Sequence, residues 1–400
     1  MSDVIALSSP LEPISGVSAF RDTSPSAIAS RAGQYLGMSA YAFGGDDLAR
    51  GVQDDADALG VPHVQGATPE LEGWFDPDAL DDLTDRALQH HWGRSWDGTY
   101  DAEGAAALWE ELDTTHLPTT LLALLNYAQR SDEELEAVAA AGSLAIITGQ
   151  EAAQSSESLR RGFDSRDPLT QGVAAALTGW TTTGEAAPAQ PSRPRIVGPT
   201  STPIHGTWGL VTDTGWHKPG SSLHDHLRET VTGNLYDDDT YYFWSGEYSD
   251  QARADGARDL AIWRDVVSDT AWLDTVYAHS HGGNVALNAL AAGQQIKMLV
   301  LLHTPAISRS AEEWATIRAN VGGVIAMRTR MDLVVLGDSL KHFENRLKFN
   351  PRNLPHFPVV GHWKHGDAWL SHAHYITTDN WVSEDLADIV RTRYALIGRG

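Results

Sequence analysis

A serine flanked by two histidines lies in the part of this sequence that points most clearly to chemistry. In residues 275–290, a β-branched and aromatic run leads to Ser280, and an alanine-rich apolar run follows it. This order predicts a strand, a sharp turn that carries the serine, and a helix. Such a turn needs small residues two positions before and after the serine, and Ala278 and Gly282 meet that need. Ser280 is therefore a candidate nucleophile, with an ordinary loop serine as the alternative.

A serine nucleophile needs a base to take its proton, an acid to orient that base, and donors for an oxyanion. Asp332 directly follows a predicted strand and is the candidate acid, unless it is only a capping residue. His372 and His374 precede the last predicted helix, and each is a candidate base or a surface histidine. Upstream, the His205-Gly206 pair ends a short predicted strand, and the next backbone N–H could face the serine.

In chain order, the His-Gly pair, the serine turn, the aspartate and the histidines over residues 196–396 resemble the α/β-hydrolase superfamily. The resemblance implies a mostly parallel sheet with helices on both faces. It also implies a catalytic triad of Ser280, Asp332 and His372, with His374 as the alternative base. His372 is preferred because family loops often place the histidine three residues before an aromatic residue, here Tyr375.

By the same resemblance, the backbone N–H groups of His281 and Thr207 form the oxyanion hole. The predicted substrate pocket contains His205, Trp208 and His279. No cofactor is implied. Thirteen of the 17 histidines lie after residue 204, but no His-Glu-x-x-His or carboxylate spacing supports a metal site, so we expect none. Residues 333–371 are long enough to supply a wall or lid for the pocket.

The two halves of the chain differ in charge. Residues 1–190 hold 30 acidic residues, 9 Arg and no Lys, a balance of −21, whereas residues 191–400 hold 23 acidic and 20 basic residues, a balance of −3. An acidic first half argues against nucleic-acid binding there. A Pro/Ala-rich linker is predicted at 184–203, between an acidic, mainly helical domain at 1–183 and an α/β-hydrolase domain at 204–400.

Local patterns indicate the elements of each half. Paired short helices at about 105–180 weakly resemble HEAT-type repeats, which offers a surface for a protein partner. The second half alternates strand-like and helix-like runs, which predicts an α/β class with a parallel sheet. The predicted strands are 240–244, 275–278, 298–302 and 324–328, and the predicted helices are 222–232, 252–266, 283–293, 311–319 and 383–394.

Several classes of protein are disfavoured by composition. The chain has no cysteine, so disulfides, thiolate catalysis and cysteine-ligated metals are excluded. The N-terminus lacks a secretory signal pattern, and no apolar stretch approaches the ~20 residues that span a bilayer. We expect a cytoplasmic protein without an integral membrane segment.

These observations together predict a serine hydrolase that cleaves an ester through an acyl-enzyme. The expected substrate is a small-molecule or lipid-like acyl compound, and a thioester or an amide remains open. Two other classes of function are kept. One is a non-catalytic interaction scaffold with a degenerate hydrolase domain, and the other is an acyltransferase that uses the same triad.

Overall fold

The structure is a computed structural model that describes residues 16–43, 61–62, 64, 77–148, 153–178, 195–207, 215–305, 307, 309–329, 332–341, 360–365 and 372–397. The chain divides into two compact units. The helical unit comprises Ser8–Gly179 and Arg330–Pro351. The sheet unit comprises Met1–Leu7, Trp180–Thr329 and Arg352–Gly400.

Eight helices of the helical unit lie in its first segment, among the described residues. They are α1 (Gly16–Arg21), α2 (Pro25–Phe43), α3 (Pro77–Trp92), α4 (Ala102–Thr115), α5 (Pro118–Ala128), α6 (Glu134–Thr148), α7 (Ala153–Phe163) and α8 (Pro168–Thr178). Asp101 caps α4 by accepting hydrogen bonds from the N–H groups of Glu103 and Gly104, both at 2.8 Å. Pro118 is the first residue of α5. The N–H group at this position has no acceptor within a helix, so proline, which lacks that group, is well tolerated there.

A fully paired charge lies inside the helical unit. Arg31 and Glu136 are 1% and 0% exposed, and the Arg31 Nε and Nη2 atoms each lie 3.0 Å from Glu136 Oε2. The hydroxyls of Tyr35 and Tyr100 donate to Glu136 Oε1 at 2.9 and 3.1 Å. This network links α2 to α6 and satisfies both buried charges, which a buried ion pair requires.

Five parallel strands form one sheet, in the order in which they occur in the chain. They are β1 (Thr202–Ile204), β2 (Trp272–His279), β3 (Gln295–Leu302), β4 (Val321–Thr329) and β5 (Val360–His365). The register pairs Ile204 with Ala278, and His279 with Leu302, so the carboxyl ends of the first three strands meet at one edge. The predicted α/β class with a parallel sheet is confirmed.

The remaining helices separate or follow the strands. They are α9 (Ser222–Thr230), α10 (Asp250–Val267), α11 (His281–Ala291), α12 (Ala311–Asn320), α13 (Leu333–Lys341), α14 (Thr378–Ser383) and α15 (Leu386–Tyr394). Side chains of β2 alternate between two cores. Val276 and Ala278 face a cluster with α10 and α11, whereas Tyr277 faces one with Trp381 of α14. Helix α13 belongs to the helical unit and not to the sheet unit.

One predicted strand is absent from the sheet. Residues 240–244 form an irregular segment that is held by side chains: Trp244 Nε1 donates to the His205 carbonyl at 2.8 Å, and the Tyr242 hydroxyl donates to the Gly256 carbonyl at 2.7 Å. The parallel bridge beside β1 is formed instead by Leu235, which pairs with Ser201. The aromatic residues of this segment gave it the sequence pattern of a strand, although residues 240–244 are not assigned to a strand.

The predicted linker at 184–203 is only partly described. Residues 184–194 lie outside the described ranges, whereas Ile196 bridges Ser268 and Thr202 begins β1. Residues 195–203, the last nine positions of the predicted linker, thus belong to the sheet unit. Among the helices of the described residues, none has both the length and the apolar character to cross a membrane.

Candidate active site at the carboxyl edge of the sheet

Ser280 occupies a strained turn between β2 and α11. Its backbone has φ 50° and ψ −134°, a left-handed conformation that non-glycine residues rarely adopt. The Ser280 N–H donates to the Leu302 carbonyl at 2.8 Å, and the Gly283 N–H donates to the Ser280 carbonyl at 3.0 Å. These bonds to β3 and to the first turn of α11 hold the residue in place.

The end of β1 approaches this turn so closely that two glycines are required. A Cβ atom added at Gly282 would lie 2.3 Å from the His205 carbonyl oxygen. One added at Gly206 would lie 2.7 Å from the Ser280 Cβ atom. The structure therefore brings the His-Gly pair and the serine turn together. Thr207 follows directly and is buried, and its Oγ1 atom has no hydrogen-bond partner among the residues that the structure describes.

Three buried histidines gather at the same edge of the sheet. The ring centroids of His279 and His372 are 4.7 Å apart, and those of His303 and His372 are 5.4 Å apart. His279 Nε2 lies 3.0 Å from the backbone carbonyl oxygen of His372. The candidate base therefore lies beside the residue that precedes Ser280. His303 and His372 are also among the described side chains that could hold a metal ion.

His374, the alternative base, is held by a different set of partners. Its Nε2 atom lies 2.7 Å from Glu384 Oε1, and its Nδ1 atom lies 3.1 Å from Asn380 Nδ2. Because the amide of Asn380 donates to Nδ1, the proton resides on Nε2 and is donated to Glu384. Both ring nitrogens of His374 thus serve the contact between the 374–376 turn and α14.

Asp332 lies in the chain three residues after Thr329, the last residue of β4. A span of three residues reaches at most about 11 Å, so the covalent chain keeps Asp332 near the carboxyl end of that strand. Its Oδ1 atom accepts the backbone N–H groups of Val334 at 3.0 Å and Val335 at 3.1 Å, which caps α13. The capping interpretation is observed, and the role as triad acid remains a prediction.

The predicted pocket residues have separate environments. His205 Nε2 lies 3.1 Å from the Trp244 carbonyl, and the two rings stack with centroids 5.7 Å apart. His279 packs edge-on against Trp216, with centroids 6.4 Å apart. Trp208 lies outside the described residues. Contact with a substrate therefore remains a prediction for all three.

One residue of the cluster, His303, had no role in the sequence prediction. It directly follows the last residue of β3, has φ 51° and is 1% exposed. Its ring also lies 4.8 Å from that of Tyr375. The available signal was position, since residues at the carboxyl ends of adjacent parallel strands converge.

Comparison with known proteins found no match: no family model, no curated protein and no solved structure matches the chain. Function is therefore inferred from the geometry of the site.

Proposed function

We propose that the chain is a serine hydrolase that cleaves a carboxylic ester, with Ser280 as the nucleophile. The main support is the backbone of Ser280, which has a positive φ at the turn between a central parallel strand and a helix. A strained turn of this kind places the serine at a helix N-terminus, and in this chain Ser280 is 3% exposed. The glycine contacts of Gly206 and Gly282 support an oxyanion hole on the β1 side.

In the proposed reaction, the Ser280 oxygen attacks the ester carbonyl carbon while His372 accepts the hydroxyl proton. The carbonyl oxygen becomes an oxyanion that accepts hydrogen bonds from the N–H groups of His281 and Thr207. His372 then gives its proton to the departing alcohol, and an acyl-enzyme remains. Water attacks this acyl-enzyme while His372 accepts a proton from the water. His372 then returns that proton to the departing Ser280 oxygen, and the acid is released. Asp332 is proposed to hold the imidazole in the required tautomer.

The substrate is proposed to be a small-molecule or lipid-like ester, because esters are the commonest substrates of the superfamily that the sequence resembles. No cofactor takes part in the steps above. The helical unit is proposed to carry a surface for a protein partner.

The test combines covalent labelling with turnover. A fluorophosphonate probe should label the wild-type chain and not Ser280→Ala, and hydrolysis of p-nitrophenyl esters should fall by about 10³-fold or more. Ser222→Ala is the matched control, since Ser222 is an exposed serine on α9. Labelling of Ser280→Ala, or its full activity, would place the nucleophile elsewhere.

A scaffold role is the second candidate, and one observation favours it. The Asp332 carboxylate caps α13, so a structural reason for this residue exists without catalysis. A Ser280→Ala chain that retains the complete biological effect would support the scaffold. Product analysis with an added alcohol would separate hydrolysis from acyl transfer, because a transferase forms a new ester.

A further inference from the structure

Arg253 on α10 is a buried arginine whose ion-pair partner among the described residues is exposed. Arg253 is 2% exposed, yet its acidic partner Asp250 has a side chain that is 91% exposed. The Nη2 atom of Arg253 donates to Asp250, whereas Nη1 is buried and has no hydrogen-bond partner among the described residues. Burying a guanidinium with unused donors is costly. In the helical unit, by contrast, the buried Arg31 is paired with a buried carboxylate, that of Glu136.

A second arginine lies close to the first. Burial lowers the pKa of Arg309 to about 10, the neighbouring charge of Glu313 opposes this shift, and the charge of Arg253 adds to it. Its Nη2 atom lies 3.4 Å from the Asn284 carbonyl, and its Nε atom is buried without a partner in the described part of the chain. Glu313 is engaged in the capping box of α12 through Ser310. Neither arginine therefore has a dedicated buried carboxylate.

Side-chain contacts connect both arginines to the serine turn. Asn284, which contacts Arg309, lies with its Nδ2 atom 3.2 Å from His281 Nδ1. The His281 ring is 5.3 Å from that of Tyr248, and the Arg253 guanidinium carbon is 5.6 Å from the same Tyr248 ring. His281 is the residue after Ser280. One side chain, that of Asn284 or Tyr248, therefore lies between each arginine and His281.

A groove gives access to Arg309. It has a volume of about 720 Å³, lies between α10 and α11, and is lined by residues that include Ala254, Asn288 and Arg309. A small anion could thus reach Arg309 from solvent.

We propose that Arg309 and the neighbouring Arg253 form an anion-binding subsite that is linked to the serine turn through Asn284 and Tyr248, and that takes a carboxylate or phosphate group carried by the ester substrate. Guanidinium groups bind such anions through charge-assisted hydrogen bonds, and the unused Nη1 and Nε donors supply them. Binding of the anion satisfies buried donors that the protein leaves unpaired. The substrate assignment rests on the proposed hydrolase function, whereas anion binding itself does not.

The first experiment compares two esters of similar length, p-nitrophenyl hemiglutarate, which carries a carboxylate, and neutral p-nitrophenyl valerate. The wild-type kcat/KM should favour the hemiglutarate by about tenfold or more. Arg253→Met and Arg309→Met should each reduce this ratio toward one. Arg391→Met is the control, because Arg391 lies on α15, is not among the residues that line the groove, and has a side chain 46% exposed, so this variant should keep the ratio.

The second experiment is independent of turnover. Phosphate and glutarate, each titrated against chloride at constant ionic strength, should raise the Tm of the wild-type chain and leave that of Arg253→Met unchanged. Stabilisation by glutarate alone would indicate a carboxylate ligand, and by phosphate alone a phosphate ligand. Without anions, Arg253→Met should melt at or above the wild-type temperature, since replacing an uncompensated buried charge removes a desolvation cost.

The outcomes separate the two proposals. If neither ester is hydrolysed but anions raise the Tm through Arg253, the hydrolase proposal fails and the subsite stands. If both esters are hydrolysed equally and no anion raises the Tm, the subsite is overturned. If the arginine variants do not fold, the wild-type ester ratio and the wild-type anion titrations decide the question alone.

Discussion

His279 and His372 are joined by a hydrogen bond, with His279 Nε2 lying 3.0 Å from the backbone carbonyl oxygen of His372. Because a carbonyl only accepts, the proton of His279 resides on Nε2. His279 directly precedes Ser280, so this bond ties the 372–376 turn to the strand that carries the candidate nucleophile. The sequence separation is large, but the sheet edge brings both residues together.

The first prediction distinguishes the two candidate bases. His372→Ala should lower kcat by about 10³-fold, because the proposed proton acceptor is lost. His374→Ala should keep kcat within a few-fold, because both ring nitrogens of His374 already bond to Glu384 and Asn380. Ester hydrolysis measures both effects.

Stability provides the control for these two variants. His374→Ala should lower the free energy of unfolding by about 1–3 kcal/mol, since it removes one hydrogen-bond donor from the nearly buried Glu384 carboxylate. Loss of turnover in His374→Ala, with normal turnover in His372→Ala, would reverse the assignment.

The second prediction separates the two roles of Asp332. Asp332→Asn should keep the cap of α13, because an asparagine oxygen accepts the same N–H groups. If Asp332 is also the triad acid, kcat should fall by about 10²–10⁴-fold while the Tm changes little. An Asn variant with wild-type kcat would leave Asp332 as a capping residue only.

The third prediction concerns the close approach of β1 to the serine turn. Gly282→Ala should destabilise the protein by about 1–3 kcal/mol, because the new methyl group would meet the His205 carbonyl oxygen at 2.3 Å. Gly233→Ala is the matched control, since nothing lies within 4 Å of its added methyl group. Urea unfolding measures the free energy of unfolding of both variants. Equal values would show that β1 lies farther from the serine turn than the structure indicates.

The fourth prediction is a dependence of stability on pH. Burial is the main cause that lowers the pKa of His224 from 6.5, against the opposing effects of the Tyr236 carbonyl and Asp225. The folded state therefore binds fewer protons than the unfolded state just below pH 6.5. Stability from this residue is present above pH 6.5 and is lost as the pH falls below it.

His224→Gln should flatten that dependence by up to about 1.4 kcal/mol per pH unit, the limit for one proton. Urea unfolding at pH 7.5 and 5.5 measures it. The wild-type chain, measured at both pH values, is the reference for this slope. A slope that is the same in His224→Gln and the wild type would contradict the assignment.

The sequence predicted the central part of the sheet unit well. Strands β2, β3 and β4 and helices α10, α11 and α12 lie where apolar runs and helical spacing placed them, because these elements bury continuous faces whose periodicity is local. The meeting of Gly206 with Ser280 was also predictable, since both lie at carboxyl ends of strands that were expected to be parallel.

Other features depend on contacts that local patterns do not encode. Residues 240–244 have the aromatic content of a strand, but side-chain hydrogen bonds hold them outside the ladder. Arg253 lies on a helix with many charged residues, and nothing in its immediate sequence indicates that it is buried. Residues 333–341 form a helix of the helical unit, because their packing partners lie far away in the chain, whereas a wall or lid from residues 333–371 stays a prediction.

Helix α13 has a consequence for the order in which the protein is made. Leu333, Val334 and Leu336 are buried, and the helix packs on α2, α6 and α8 of the first segment. A Cβ atom added at Gly337 would lie only 3.3 Å from Leu177 of α8. During synthesis, the apolar surface of those early helices stays uncovered until β1 to β4 and α13 have left the ribosome. The helical unit therefore finishes folding late, although its first segment emerges first.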